Sequence, residues 1–463
     1  MVSAAQVLPA SHREAYQLAV DARDRRFDGV FFVGITTTRV YCRPICPSRL
    51  AYDRHRRFFD SAAAAERAGF RPCLRCRPEL APGARAGLGA VSRLAQVATQ
   101  RIAAGALNDR SVTELAGELG VSERHLRRAL EREMGVSPLD LAQTHRLLLA
   151  KRLLADTDLS VTRVAYASGF QSLRRFNASF REQYGMPPSA LRRKTTAPAP
   201  RSQSLQITLA YRPPLAWDAL LDSLRAVATP GVEIFEGRRY GRTVRIAGHS
   251  GFVFATDAPD NHVTLEVSAS LLPVLMPLIA GMRRLFDLDA EPAVVDGHLA
   301  EGGLGELVAL RHGVRVPGAL DGFEVALQLL LGGRGPFGEP LDTGVPGLTH
   351  LAPTAAQIVE AGVPRRLAAT VTALARAVMT GAIRLEPGSE VEATRRALLD
   401  LGGIGEHLAT QIVMRALYWP DAFYTRDLTL QARAEAWRPW RAYAALHLVA
   451  RRGLAALDTR EGR

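Results

Sequence analysis

Cysteine is scarce in this 463-residue chain, and its four copies share one stretch: Cys42, Cys46, Cys73 and Cys76. Lysine is scarcer still, with only Lys151 and Lys194. No run of about 18 apolar residues is free of charge, so no helical membrane span is indicated. The opening MVSAAQVLPASHREA lacks the basic and long apolar regions of a secretory leader. The expected compartment is therefore the reducing cytoplasm, where spaced cysteines bind metal or react more often than they form disulfides.

What is abundant is arginine, and it is unevenly placed. Lys and Arg total 59 against 46 Asp and Glu, a net charge of +13. Residues 1–200 hold 32 basic and 18 acidic side chains, whereas residues 201–463 hold 27 and 28. The first part has the charge of a nucleic-acid binder held by phosphate contacts. The second can engage DNA only through a local site.

At roughly 150 residues per domain the length suggests about three domains, and composition subdivides the chain further. Residues 10–82 are rich in cysteine and arginine. APGARAGLG (81–89) reads as a linker, and residues 90–194 are helical in pattern. KTTAPAPRSQS (194–204) is the clearest boundary. Over 205–288, the runs LQITLAY, VEIFEG, RTVRIAG, GFVFAT and HVTLEVS alternate as strands do, with helical stretches between, which predicts an α+β domain. Residues 289–463 are again mostly helical. The expected fold class is multidomain, mainly α with α+β parts.

The cysteines are spaced C-x3-C and C-x2-C. Two short chelating pairs across a loop are how a tetrahedral four-cysteine zinc site is built. A closed structural zinc is the simplest reading. The alternative is chemical: four thiolates on one zinc carry a net charge of about −2, stay deprotonated, and lose one unit on alkylation. Arginines, Arg43 and Arg75 among them, surround the cluster and suit a DNA backbone. The stretch TTTRVYCRPICPSR…AAERAGFRPCLRCRPE resembles the N-terminal domain of Ada, the adaptive-response methyl-acceptor family, over roughly residues 12–80. That resemblance implies a small zinc-bound α+β domain. In it Cys42 takes a methyl group from a DNA methylphosphotriester, irreversibly, while Cys46, Cys73 and Cys76 remain zinc ligands. It further implies that a second, guanine-O6 methyltransferase domain is absent, because no other cysteine is left for it.

SVTELAGELGVSERHLRRALEREMG (111–135) has a helix–turn–helix pattern, with a turn at Gly120–Val121 and a cap at Ser122. Its second helix carries Arg124, His125, Arg127 and Arg128. A second copy, SVTRVAYASGFQSLRRFNASFREQYG (160–185), turns at Gly169–Phe170 and displays Ser172, Arg174 and Arg175. The endings EREMGVSPLDL and REQYGMPPSAL repeat 50 residues apart. A lone copy is weak evidence, since many helical hairpins share the pattern. Two copies in the basic half resemble the all-α DNA-binding region of AraC-type activators. That implies two recognition helices in successive major grooves, and RNA polymerase as a partner.

In LLDLGGIGEHLATQIVMRALYWPDAFYTRDLTL (398–430), the turn Gly403–Ile404–Gly405 separates two helices. Backbone N–H groups at such a helix start hold phosphate; a glycine-capped connection is the bland alternative. Asp427 follows 22 residues after Gly405. With YRPPLAWDALLDSL (211–224), MRRLFDLDAEPAVVDGHL (282–299), RVPGALDGFEVAL (315–327) and WRPWRAYAALHL (437–448), the run is similar to the AlkA type of 3-methyladenine DNA glycosylase. The resemblance covers about 205–455, an α+β AlkA N-terminal-like domain and an all-α helix–hairpin–helix domain. It implies that Asp427 is the catalytic carboxylate acting on a flipped-out base. It also implies a monovalent cation at the hairpin. The absence of lysine from 201–463 excludes a Schiff-base lyase mechanism. The chain departs from that family where a basic residue and pocket aromatics are usual; here stand Glu406, His407, Leu408 and Gln411. The segment 329–342 also looks short.

The sequence thus reads as a sensor of alkylated DNA phosphate, an activator of repair genes and a base-excising enzyme, binding double-stranded DNA and one zinc ion, with a monomer expected. Two alternatives stay open. One is a sensor whose glycosylase half has decayed, the other a zinc-stabilised transcription factor without chemistry.

Overall fold

The computed structural model describes residues 10–83, 92–194, 204–333, 338–361 and 368–458. Most of the expected linkers 81–89 and 194–204, and residues 334–337 of the segment 329–342, lie outside these. The chain forms two units, Met1–Arg212 with Leu271–Ala280, and Pro213–Ser270 with Gly281–Arg463.

The first unit opens with a four-stranded sheet in the order Arg56–Phe59, Phe32–Ile35, Val40–Cys42, Arg71–Pro72. Side chains alternate across a strand, so Phe31 and Val33 pack with Ala19 and Val20 of helix Ala10–Asp21. Phe32 faces the other way, onto Tyr41, Phe59, Ala65 and Phe70. Cys42 is opposite Val33 in the antiparallel register, and Tyr41 is opposite Pro72 in the parallel one. Cys42 and Cys73 therefore leave adjacent strands at the same end, and the Cys73 N–H donates to the Tyr41 carbonyl at 2.9 Å.

Serine sets the starts of the helices that follow. Ser111, Ser122, Ser137, Ser160 and Ser172 each accept from the backbone N–H three residues on, satisfying a donor that the first helical turn leaves free. Helix Glu123–Met134 ends at Gly135 and helix Leu173–Tyr184 at Gly185, both left-handed. The repeat extends to the core, where Leu126 and Leu130 of the first helix match Phe176 and Phe180 of the second. Helix Pro138–Asp156 joins the two copies. Strand Ser204–Ala210 stays with this unit: Arg152 donates to the Thr208 carbonyl, and Arg212 to that of Gly83 at 2.7 Å.

In the second unit, strands Glu233–Glu236, Arg239–Ile246, His249–Ala258 and His262–Ser268 pair antiparallel in sequence order. Its helices share two apolar cores. One joins Phe323, Leu327, Leu374, Leu398, Ile412 and Val413 and takes in Ile404. The other surrounds Trp437 and Trp440. Arg242 and Glu324 are buried together, with bonds of 2.6 and 2.8 Å. Asp287 is fully buried and accepts from Tyr443 at 2.7 Å, from Val316 N–H at 3.2 Å and from Tyr418.

Candidate metal centre and nucleic-acid interfaces

The sulfurs of Cys42, Cys46, Cys73 and Cys76 all lie within 4.8 Å of one another. A tetrahedron with Zn–S bonds of about 2.3 Å has S–S edges of roughly 3.8 Å, so the donor set and its spacing fit one zinc ion. The four sulfurs are not equivalent. Cys46, Cys73 and Cys76 are buried, whereas Cys42 is partly exposed. Backbone N–H groups of Arg75 and Arg43 donate to Cys73 and Cys76, each at 3.3 Å. Among the described residues no backbone N–H donates to Cys42. Such N–H···S bonds draw electron density from the Cys73 and Cys76 thiolates, and Cys42 is the most accessible of the four.

The two arginines expected at DNA divide here. Arg75 is exposed. Arg43 is buried: its guanidinium pairs with Asp28 (Nε to Oδ1, 2.8 Å) and donates to the Cys76 carbonyl at 3.2 Å. The reason is tertiary: Arg43 follows Cys42 into the loop around the metal, where Asp28, 15 residues earlier in the chain, comes to meet it. Arg43 thus braces that loop and is buried away from an approaching phosphate.

Two residues behind the centre were not singled out in the sequence. Glu66, on the short helix Ala62–Arg67, accepts from Tyr41 Oη at 2.9 Å and Thr144 Oγ1 at 2.7 Å. Burial pushes its carboxyl up to about 7, against the pull of those hydroxyls. Lys151 is buried, donates to the Cys73 carbonyl at 3.3 Å and pairs with Glu79; burial pushes its ammonium down. A signal for Lys151 existed, because it is one of two lysines in an arginine-dominated chain.

On the repeated helices, Arg124, His125, Arg128, Arg174 and Arg175 are exposed, as a groove-facing surface requires. Arg127 is half-buried and paired with Glu123 one turn back, at 2.7 Å, so it is less free than expected. The Ser172 oxygen is occupied as a helix cap, accepting from Arg175 N–H at 3.4 Å.

In the second unit, helix Val391–Asp400 leads into the turn and helix Glu406–Ala416 leaves it. Ile404 is buried in the core while Gly402, Gly403 and Gly405 are exposed. Gly403 has φ +75°, and a Cβ there would meet Thr370 Oγ1 at 2.4 Å; only glycine fits. A Cβ at Gly405 would meet nothing within 4 Å, and the residue is exposed, so this end of the turn faces open space. The cation implied at this turn would draw on its carbonyls, of which Gly402 O already accepts from Thr370 at 3.1 Å.

Glu406 does bring a negative charge to the turn, but Arg395 pairs with it and also binds Glu392 at 3.0 Å. His407 Nε2 lies 3.1 Å from Gln411 Nε2, and its ring centroid is 6.1 Å from that of Tyr424. The loop bearing Tyr424 therefore packs on the first turn of the helix that follows the hairpin. Three residues further on, Asp427 is exposed and caps helix Leu428–Ala434.

A four-cysteine metal centre beside paired recognition helices, with a glycine turn and a solvent-facing carboxylate in the other unit, defines a class: regulators of transcription that also repair DNA. Family profiles match the metal binding domain of Ada over residues 15–79, a helix-turn-helix domain over 115–194 and the AlkA N-terminal domain over 206–321. The chain is 35% identical to a probable bifunctional transcriptional activator/DNA repair enzyme AlkA of Mycobacterium tuberculosis, over 93% of this chain and 94% of that one. It is 31% identical to DNA-3-methyladenine glycosylase 2 of Escherichia coli, over 52% of this chain and 95% of that one. It is 30% identical to the bifunctional transcriptional activator/DNA repair enzyme Ada of Escherichia coli, over 38% of this chain and 47% of that one. The chain belongs to the family of bifunctional Ada–AlkA transcriptional activators and DNA repair enzymes.

Proposed function

We propose that Cys42 takes a methyl group from a methylphosphotriester in DNA, that the methylated protein activates transcription, and that Asp427 drives release of alkylated bases of the 3-methyladenine type. The observation that carries the first step is the inequality of the four sulfurs: Cys42 alone is partly exposed. Zinc, when bound, keeps all four sulfurs deprotonated at neutral pH. The Cys42 sulfur attacks the methyl carbon in line with its C–O bond. The S–C bond forms, the C–O bond breaks, and its electron pair stays on the phosphate oxygen. No proton moves. The cluster becomes less negative by one unit and repels the DNA backbone less.

In the second unit, the bond between C1′ and the alkylated base breaks with its pair leaving on the base, whose cationic ring becomes neutral. Asp427 stabilises the positive charge developing on the sugar. Water then adds to C1′, and its proton passes to the carboxylate and on to solvent. The exposed Asp427, on a loop packed against the hairpin helix, supports this role.

The reading assigns residues 10–82 to methyl acceptance, 90–194 to promoter binding, and 205–288 with 289–463 to base excision. It makes RNA polymerase the partner of the activator and assigns the protein to the cytoplasm as a monomer, where free thiols persist. The test is incubation with methylphosphotriester-containing DNA, followed by intact mass and a peptide map. One added methyl group on Cys42 is expected; none overturns the sensor role.

A further inference from the structure

We infer that the segment Glu66–Cys73 is a positioning element that links the methyl acceptor to both recognition helices, with Glu66 as its central residue. The inference rests on the methyl-acceptor reading of Cys42 and goes beyond it, since it says how the state of that sulfur reaches the DNA-reading surface.

Several ties converge on this short segment, some ending on the strand that carries the methyl acceptor and others on three helices of the DNA-binding region. Glu66 accepts from Tyr41, the residue before Cys42, and from Thr144 on helix Pro138–Asp156. Arg67 donates to the carbonyl of Gly135, which closes the first recognition helix, at 3.0 Å. The Phe70 carbonyl accepts from Gln183, in the last turn of the second recognition helix, at 3.1 Å. Arg71–Pro72 is the strand paired with Val40–Tyr41. Cys73 ends the segment, its carbonyl bonded to Lys151.

Thr144 and Lys151 are seven residues apart, two helical turns, so the joining helix presents both on one face. Both are almost fully buried, at 4% and 2% exposure. A buried polar group is costly unless its partner is in place, so these contacts hold one arrangement of metal centre and helices. A change in size and charge at Cys42 bears on Tyr41 through the same strand. From there it reaches Glu66, and with it the helix that spaces the two recognition helices.

The test uses the full-length, zinc-loaded chain and a duplex selected by the methylated wild-type protein from a random-sequence library. The readout is the ratio of dissociation constants before and after methylation. Thr144→Val and Tyr41→Phe are expected to lower that ratio by about three- to tenfold. Thr144→Ser, which keeps the hydroxyl, is expected to hold it within about twofold of wild type. The rate of methyl transfer to Thr144→Val should match wild type, which a general loss of structure would not allow. Gln183→Ala is only half-buried and carries the same expectation where the buried variants fail to fold. Ratios equal to wild type in these zinc-loaded variants overturn the inference alone. A wild-type protein that takes no methyl group on Cys42 overturns the sensor reading and this inference with it.

Discussion

Asp427 holds the backbone N–H of Thr429 at 2.9 Å through Oδ1, and the same oxygen takes the N–H of Leu430 at 3.1 Å. Among the described residues no donor reaches Oδ2. One oxygen therefore fixes the side chain as a helix cap, and the other stays free to face a sugar cation. The carboxylate is positioned by its own helix and needs no second side chain to aim it.

That division of labour separates two effects of Asp427→Asn. Asparagine caps a helix about as well as aspartate, so thermal stability should change by less than about 0.5 kcal/mol. Release of 3-methyladenine from methylated DNA should fall by about a hundredfold or more, since the charge facing the sugar is gone. Chromatographic release assays and thermal unfolding on the same preparation check both. Background release by wild type and variant alike would identify a sensor with a decayed glycosylase.

Arg43 and Arg75 should behave as opposites. Arg43→Ala leaves Asp28 buried without its partner, which costs about 3–5 kcal/mol, and it loosens the loop around the metal. Zinc content and stability should both drop. Arg75→Ala should leave both intact and lower DNA affinity, reducing the slope of log affinity against log salt by about 0.9. A salt titration of binding for both variants decides between these outcomes.

Arg395 is the cation that offsets Glu406 at the glycine turn. Removing it exposes two carboxylates, Glu392 and Glu406, beside the exposed backbone N–H groups. Arg395→Ala should weaken binding of the second unit's site to duplex DNA by about tenfold at low salt, and by less at high salt, where the charge is screened. The double variant Arg395→Ala, Glu406→Gln should recover most of the loss. Base-release kinetics at several DNA concentrations would report it as a rise in KM.

His145 gives the first unit an acid-sensitive element. Burial pushes its imidazole down from 6.5 to about 4, and its Nε2 has no partner. The unfolded chain protonates near 6.5 while the folded chain stays neutral, so stability is present above that pH and is lost as pH falls from 6.5 to 4. Glu66 works the other way: its carboxyl, pushed up to about 7, contributes stability below 4.5 that is lost as pH rises to 7. The two oppose each other in wild type, so the test is a comparison. Between pH 7.5 and pH 4, His145→Leu should gain about 3 kcal/mol relative to wild type. Hydrogen exchange of helix Pro138–Asp156 measures it.

Much of this protein was legible in its residues alone. The paired cysteines imply one zinc, the recurrence of Ser-capped helices 50 residues apart gives two recognition helices, and Gly403 reports a turn that other residues cannot adopt. These features are local: spacing, caps and backbone conformation act within a few residues, so sequence determines them directly. The tertiary structure decided what depends on distant neighbours. It turned Arg43 from a presumed phosphate contact into a buried brace, because Asp28 comes to meet it from another strand's approach. It set Cys42 apart from three chemically identical thiols, because exposure follows from packing. It neutralised Glu406 with Arg395, and it gathered Tyr41 and Thr144 around the Glu66 carboxylate. Charge and polarity are written in the sequence, but whether a charge meets water, a phosphate or a partner is a property of the folded chain.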